Sequence, residues 1–137
     1  MYKRQKEQDG SIIIVIATDA PLISNQLERI ARRASHGLAR TGAVSGSGSG
    51  DIFVAFSTSN TVAAFGAGTE LDFHAISDEW LTPLFEATAQ ATEEAIVNAM
   101  VAAETMTGGN DLTVHALPHD RLKEILRKYN RLEENSQ

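Results

Sequence analysis

The chain of 137 residues contains no cysteine, and that absence removes several kinds of chemistry at once. Without cysteine there is no disulfide framework, no thiolate metal site and no cysteine nucleophile. Aromatic residues make up only 6% of the chain, and the formal net charge is −6. Binding to nucleic-acid phosphates needs clustered Lys and Arg side chains, so the composition argues against a nucleic-acid partner.

Long apolar segments are also missing. No stretch approaches the roughly 18 consecutive apolar residues that a membrane-spanning helix needs. The basic start MYKRQKEQDG leads into an apolar run that stops at Thr18-Asp19, which is too short for a secretory signal. We therefore expect no membrane association and a cytoplasmic location. The hydrophobic content of 42% suffices for the core of one ordinary globular domain.

What the sequence does contain is an alternation of strand and helix signals. Residues 11–18 and 51–59 predict strands, the first one covered on both faces, and 61–65 predicts a further short strand. Apolar residues recur at helical spacing over 21–40 and 77–106, and Pro118 opens a last helix that runs to about residue 131. The predicted apolar faces are Leu27, Ile30, Ala31, Ala34 and Leu38 in the first helix, and Trp80, Leu84, Ala91, Ala95 and Ala102 in the second. This order predicts an α/β layered fold.

The dipeptide Gly10-Ser11 before the first strand has two interpretations. It is an ordinary turn into the strand, or Ser11 is the residue at which the working chain begins. A serine at a chain N-terminus can use its own α-amine, which titrates near about 8, as the base that takes its hydroxyl proton. The second interpretation therefore needs no histidine.

The run SGSGSGD at 45–51 is equally open. Its composition is typical of a flexible linker. Yet it ends at the mouth of a strand, where Ser49 and Asp51 would project to the same side and the carboxylate could orient the hydroxyl. The run lacks the Gly-Lys-Ser/Thr ending of a phosphate-binding loop.

The histidines offer a weaker candidate site. His115 and His119 have the spacing of a zinc-binding pair, but Pro118 argues against the continuous helix that such a pair normally occupies. His36 and His74 are isolated, and we interpret them as surface or packing residues. We expect no metal and no cofactor.

Four stretches then carry a resemblance to a known family. In chain order they are DGSIIIVIATDAPL, RIARRASHGLARTG, SGDIFVAFST and NAMVAAETMTGGNDLTVHALPHDRLKEILRKY. They cover residues 9 to 129 and resemble the C-terminal part of the DmpA-type P1 family peptidases. These N-terminal nucleophile-like hydrolases include L-aminopeptidase/D-esterases and β-peptidyl aminopeptidases. The resemblance implies an αββα sandwich, self-cleavage of a precursor into α and β chains, and assembly into oligomers such as tetramers of αβ units.

Carried over residue by residue, the resemblance places self-cleavage at Gly10-Ser11 and makes Ser11 the nucleophile. It makes Ser49 the second serine of the site and Asp51 the acidic partner. Some members have Glu where this chain has Asp51, and the shorter side chain reaches less far. Residues 1–10 then correspond to a linker stub and 11–137 to the β portion of the hydrolase domain. The α chain of the same precursor, with the oxyanion-hole groups and much of the substrate pocket, would precede the cut.

The implied function is a serine-type aminopeptidase or amidase that releases N-terminal residues from short peptides, amides or esters. One alternative is an ornithine acetyltransferase-like acyl transferase, which Ser rather than Thr at position 11 disfavours. The other is a noncatalytic fragment that acts only in assembly. The residues leave open whether the substrate is an α-peptide, a β-peptide, a D-residue amide or a synthetic oligomer.

Overall fold

The computed structural model describes residues 10–60 and 72–133 and divides the chain into two compact units, Met1–Glu94 and Ala95–Gln137. The first unit contains strand β1 (Ile13–Thr18), helix α1 (Ser24–Arg40) and strand β2 (Ile52–Ser57). A short 3₁₀ turn at Asp78–Trp80 then leads into helix α2 (Leu81–Ala102). The short strand predicted at 61–65 lies outside the described residues.

The two strands of the first unit pair in parallel, with Ile13 opposite Ile52 and Val15 opposite Val54. Helix α1 connects them, as a parallel pair requires. Burial alternates along both strands because successive side chains point to opposite faces. One face packs toward the core, while the other leaves Val15 61% and Val54 46% exposed. Cover on both faces of β1 was predicted, and the described part of the chain supplies it on one face only.

Helix α1 buries the face that its periodicity predicts. Ile30, Ala34 and Leu38 are buried, and Ile30 joins Leu22 and Leu81 in the central cluster of the unit. Ile16 of β1 packs against the same cluster. The β-α-β arrangement is therefore stabilised by burial of the apolar stripe of α1 on the inner face of the sheet.

The apolar face predicted for helix α2 is correct at Leu84, which packs against the core, and wrong at its other positions. Its buried residues are Leu81, Thr88, Ala89 and Thr92. Exposed instead are Trp80, just before the helix, and Ala91, Ala95 and Ala102 within it. Small Ala and Thr residues occur all around the circumference of this helix. Counting apolar residues on each face therefore distinguishes the buried face from the exposed one poorly. The close approach of Gly37 selects the face, because a Cβ at that position would lie 2.6 Å from Thr92 Cβ.

The second predicted helix also ends earlier than expected, at Ala102 rather than at residue 106. Strand β3 (Met106–Thr107) pairs antiparallel with strand β4 (Thr113–Val114) instead. In the turn between them, Asn110 and Asp111 have φ of 59° and 57°, a region that Asn and Asp tolerate. Because Met106 pairs with Val114 in this antiparallel ladder, it is part of a strand and not of helix α2.

Helix α3 (His119–Lys128) begins directly after Pro118, close to the predicted start. It ends at Lys128, before the predicted residue 131. Asn130, just beyond this end, has a φ of 53°, which is not helical. Basic residues Arg127 and Lys128 occupy its last turn, where the helix dipole favours them. Among the described residues, no helix has both the length and the apolar character to span a bilayer.

Candidate active site

The candidate site lies where the chain enters the two parallel strands. Gly10-Ser11 leads into β1, and residues 45–51 lead into β2. The Ile52 N–H donates to the Ile12 carbonyl over 2.9 Å, which fixes the register at this end. Continued outward, that register places Ser11 beside Gly50, so two segments far apart in the sequence meet before the sheet begins.

Ser11 has an exposed side chain at this junction. The backbone N–H of Gly50 donates a hydrogen bond to Ser11 Oγ over 3.0 Å. This donor fixes the position of the oxygen and would stabilise negative charge on it. A nucleophilic hydroxyl needs that kind of support when its proton is removed.

Ser49 lies between the Gly10-Ser11 junction and a carboxylate. Its Oγ is 2.8 Å from the carbonyl oxygen of Gly10 and 2.6 Å from Oδ1 of Asp51. The contact between Ser49 and Asp51 that the two-residue spacing predicts is therefore present. The contact with Gly10 means that a hydroxyl donor faces the carbonyl of the predicted cleavage bond.

Asp51 accepts several hydrogen bonds, and they hold the pKa of its carboxyl below the ordinary value of 3.8. The Ser49 hydroxyl contributes most, the Ser45 hydroxyl next, and the backbone N–H of Ile12 also donates. Each of these donors favours the ionised form. At neutral pH the site therefore contains a fixed negative charge.

The segment 45–51 is folded against the start of β1, which is unlike a free linker. The Ser49 N–H donates to the Gly46 carbonyl over 2.9 Å, closing a turn. Ser45 precedes this turn with a φ of 46°. A cavity of about 410 Å³ opens here, and its lining includes Ser11, Ser45, Ser49 and Asp51.

Ser45 and the N–H of Gly50 take part in this site and were not predicted from the sequence. Both lie inside the SGSGSGD run, where alternating Ser and Gly give no signal of which hydroxyl or amide points inward. Only the turn and the sheet register select them. The separation of Ser49 and Asp51 was the one informative spacing in the run.

The histidines do not assemble a site among the described residues. His119 starts α3, as Pro118 led us to expect, and its Nε2 lies 2.9 Å from the Val101 carbonyl oxygen. His36 is exposed on α1, and the backbone of His74 is bonded to the side chain of Asn60. Over residues 10–60 and 72–133, no three or more His, Asp or Glu side chains are grouped to hold a metal ion.

Comparison with known proteins identifies the family of the chain. The model of the family described as Peptidase family S58 matches residues 1–114. The chain belongs to peptidase family S58. It is 52% identical over 124 residues to the beta-peptidyl aminopeptidase BapA of Sphingosinicella microcystinivorans. The match to BapA of Sphingosinicella xenopeptidilytica is 47% over 125 residues. Membership in family S58 confirms the resemblance drawn from the four sequence stretches.

A solved structure extends the similarity to the fold. The L-aminopeptidase D-Ala-esterase/amidase of Ochrobactrum anthropi, described as a variant of the Ntn hydrolase fold, is 47% identical, with a TM-score of 0.81. The match covers 88% of this chain and 34% of that one. Each BapA match likewise covers about nine-tenths of this chain, 90% and 89%, and 31% of the relative. The chain thus has an Ntn hydrolase type of α/β fold and spans about a third of the length of its relatives.

Proposed function

We propose that this chain carries the nucleophile of a serine-type N-terminal nucleophile aminopeptidase or amidase that cleaves itself between Gly10 and Ser11. One observation supports this most directly: Ser49 Oγ lies 2.8 Å from the Gly10 carbonyl oxygen, while the Gly50 N–H holds Ser11 Oγ. The Ser11 hydroxyl and two hydrogen-bond donors, the Ser49 hydroxyl and the Gly50 N–H, therefore meet at the Gly10-Ser11 peptide bond. The similarity to BapA supports the reaction class.

In self-processing, Ser11 Oγ attacks the carbonyl carbon of Gly10, and the C–N bond of Gly10-Ser11 breaks as an ester forms. The hydroxyl proton of Ser11 ends on the departing nitrogen, which becomes a free α-amine. Water then hydrolyses the ester and leaves a carboxylate on Gly10 and a hydroxyl on Ser11. The Ser49 hydroxyl donates to the Gly10 oxygen while negative charge develops there.

In turnover, the new α-amine of Ser11 takes the hydroxyl proton as Oγ attacks a substrate carbonyl. The amine passes this proton to the leaving group, and an acyl-enzyme ester forms on Ser11. Water opens the ester with the same amine as base, which releases the acid and restores the serine. The negative charge of Asp51 favours the protonated amine that forms in each half-reaction. The scheme uses no metal and no cofactor.

We infer that the activity belongs to a longer precursor, because the chain spans only 31% of BapA. A preceding α segment would complete the substrate pocket, and processed αβ units would assemble into oligomers such as tetramers. The exposed Val15 and Val54 support this inference, since parallel sheets are normally covered on both faces. Short peptides, amides or esters with a free N-terminal residue are the expected substrates. This chain together with its α segment is called the complete precursor below.

The intact mass and N-terminal residue of the purified complete precursor test the proposal. We expect one cut, between Gly10 and Ser11, and hydrolysis of amino-acid p-nitroanilides after it. Ser11→Ala should abolish both, while Ser47→Ala, whose hydroxyl makes no hydrogen bond within residues 10–60 and 72–133, should retain both. Cleavage at another bond, or an active Ser11→Ala variant, would contradict the proposal.

A second candidate is a noncatalytic role in assembly, and the exposed sheet face favours it. Ile13, Val15, Val54 and Phe56 form a surface of large apolar side chains that can serve association without any chemistry. Under this alternative the complete precursor stays uncut and inactive but still forms oligomers. Because both functions allow oligomers, cleavage between Gly10 and Ser11 and hydrolysis of amino-acid p-nitroanilides by the complete precursor separate the two.

A further inference from the structure

The cavity beside Ser11 has a lining of two chemical kinds. Its polar part includes Ser11, Ser49 and Asp51, the side chains that the proposed reaction uses. Its apolar part consists of four side chains, Ile12, Leu38, Ala43 and Val44. Self-cleavage and turnover, as proposed, give this apolar part no task.

Most of the apolar part comes from the end of helix α1 and the turn that follows it. Leu38 is only 7% exposed, so the core holds it in place. The N–H of Gly42 donates to the Ala39 carbonyl over 3.0 Å, and its φ of 96° ends the helix. Ala43 is then half-buried, whereas Val44 is 90% exposed. A valine exposed at the mouth of a cavity can bury its methyl groups against a bound molecule.

Gly10 indicates where the acyl group of a substrate lies. In self-processing the acyl group of Gly10 is transferred to Ser11 Oγ, and in turnover the acyl group of the substrate forms the same kind of ester on the same oxygen. Gly10 lines the cavity, and its carbonyl oxygen lies 2.8 Å from Ser49 Oγ. The N-terminal residue that a substrate releases therefore takes the place of Gly10.

A side chain has room at this position. Apart from its chain neighbours, no described residue has a heavy atom within 4 Å of a Cβ added to Gly10. The cavity that Gly10 lines has a volume of about 410 Å³. The carboxylate of Asp51 in the same lining repels an acidic side chain. An apolar side chain instead gains by burial against the apolar part of the lining.

We propose that Leu38, Ala43 and Val44 form a specificity pocket for the acyl group, which selects substrates whose released N-terminal residue has an apolar side chain. This inference rests on the proposed function and names the class of substrate that it takes. Leu38 belongs to the core, so Ala43 and Val44 are the positions at which the pocket can be altered. Glycine at position 10 has no side chain to place there, so these alterations should leave self-cleavage unchanged.

The test compares kcat/KM for leucine and glycine p-nitroanilides, which differ only in the side chain of the acyl group, on the self-cleaved complete precursor. The parent should prefer leucine by about tenfold or more, since a single methylene in an apolar pocket changes kcat/KM by about tenfold to two-hundredfold. Ala43→Leu fills the pocket and should lower the leucine-to-glycine ratio by about tenfold. Val44→Ala removes two methyl groups and should lower it by about twofold to tenfold. The glycine rate and self-cleavage should stay parental in both variants.

Ala39→Leu is the matched control, because it adds the same atoms at an exposed position of α1 outside the lining of this cavity. Its ratio should be parental, and an equally lowered ratio there would overturn the inference. A parental ratio in Val44→Ala or in a folded Ala43→Leu protein, or a parent that prefers glycine, would also overturn it. If Ala43→Leu does not fold, the ratio of Val44→Ala decides alone.

The proposed function survives each of these contrary ratios, because the precursor is still cut and the substrates are still hydrolysed. By contrast, cleavage that survives Ser11→Ala, or a precursor never cut after Gly10, would overturn the proposed function and this inference together.

Discussion

The backbone N–H of Gly50 donates a hydrogen bond to the Ser11 hydroxyl oxygen over 3.0 Å. Proline at position 50 has no N–H, so Gly50→Pro should slow both self-cleavage and turnover. We expect a loss of about twofold to tenfold, the effect of one hydrogen bond that positions the nucleophile. Rates on the complete precursor, with circular dichroism to verify folding, measure it.

Alanine at the same position is the control for this prediction. A Cβ on Gly50 would lie 3.5 Å from Ser11 Oγ, an ordinary van der Waals contact, and Gly50 does not have a positive φ. Gly50→Ala keeps the N–H and should therefore retain most of the activity. If Ala and Pro caused equal losses, the space at Gly50 would matter and its hydrogen bond would not.

Ser49 and Asp51 should matter for turnover as well as for processing. Ser49→Ala and Asp51→Asn remove the oriented hydroxyl and the fixed charge from the cavity that Ser11 also lines. Each should lower kcat/KM by about tenfold to ten-thousandfold, the span of positioned acid-base partners, with little loss of folding. Ser47→Ala should match the parent. Parental rates in all three variants would show that Ser11 works without this pair.

The sequence predicted this pair and missed its surroundings, for a physical reason. Two residues apart on extended backbone project to one side, so the contact of Ser49 with Asp51 follows from local geometry alone. Two other contacts depend on the parallel register of β1 and β2, which α1 separates in the sequence. They join Gly50 to Ser11 and Ser49 to Gly10. No local pattern encodes such a register, and the site could be completed only when both strands were in place.

Asp51 should titrate below the ordinary carboxyl value. Its pKa is lowered by the Ser49 hydroxyl first and the Ser45 hydroxyl second. Because the folded pKa lies below the unfolded one, the ionised carboxylate stabilises the fold at higher pH, and this contribution is lost as pH falls through the folded value. Carboxyl NMR titration should place the Asp51 midpoint below 3.8.

Two variants check the cause of that shift. Ser49→Ala removes the largest contribution and should move the Asp51 midpoint upward, toward its ordinary value. Ser47→Ala should leave the midpoint unchanged. A midpoint that stayed in place in Ser49→Ala would assign the shift to the other donors. Activity changes near neutral pH should follow the Ser11 amine, since Asp51 is ionised throughout that range.

The fold shows a similar division between local and tertiary information. The face of α1 was predictable because Ile30, Ala34 and Leu38 stand out among arginines and other polar residues. The face of α2 was not, because Ala89 and Ala91 are equivalent by composition and only packing against α1 makes one of them buried. Small residues in a helix indicate that another helix can approach closely. They do not indicate on which face of the helix this happens.

That close approach leads to a prediction at Gly37. A Cβ there would lie 2.6 Å from Thr92 Cβ and even closer to the Ala89 backbone oxygen, which cannot rotate away. In an open helix, Gly→Ala stabilises by about 0.5–1 kcal/mol, but overpacking costs about 1–3 kcal/mol. Urea unfolding should therefore show that Gly37→Ala destabilises the chain. The control His36→Ala, at the exposed neighbouring position, should be neutral or stabilising. If Gly37→Ala were as stable as the parent, α1 and α2 would be packed less closely at this point than the structure indicates.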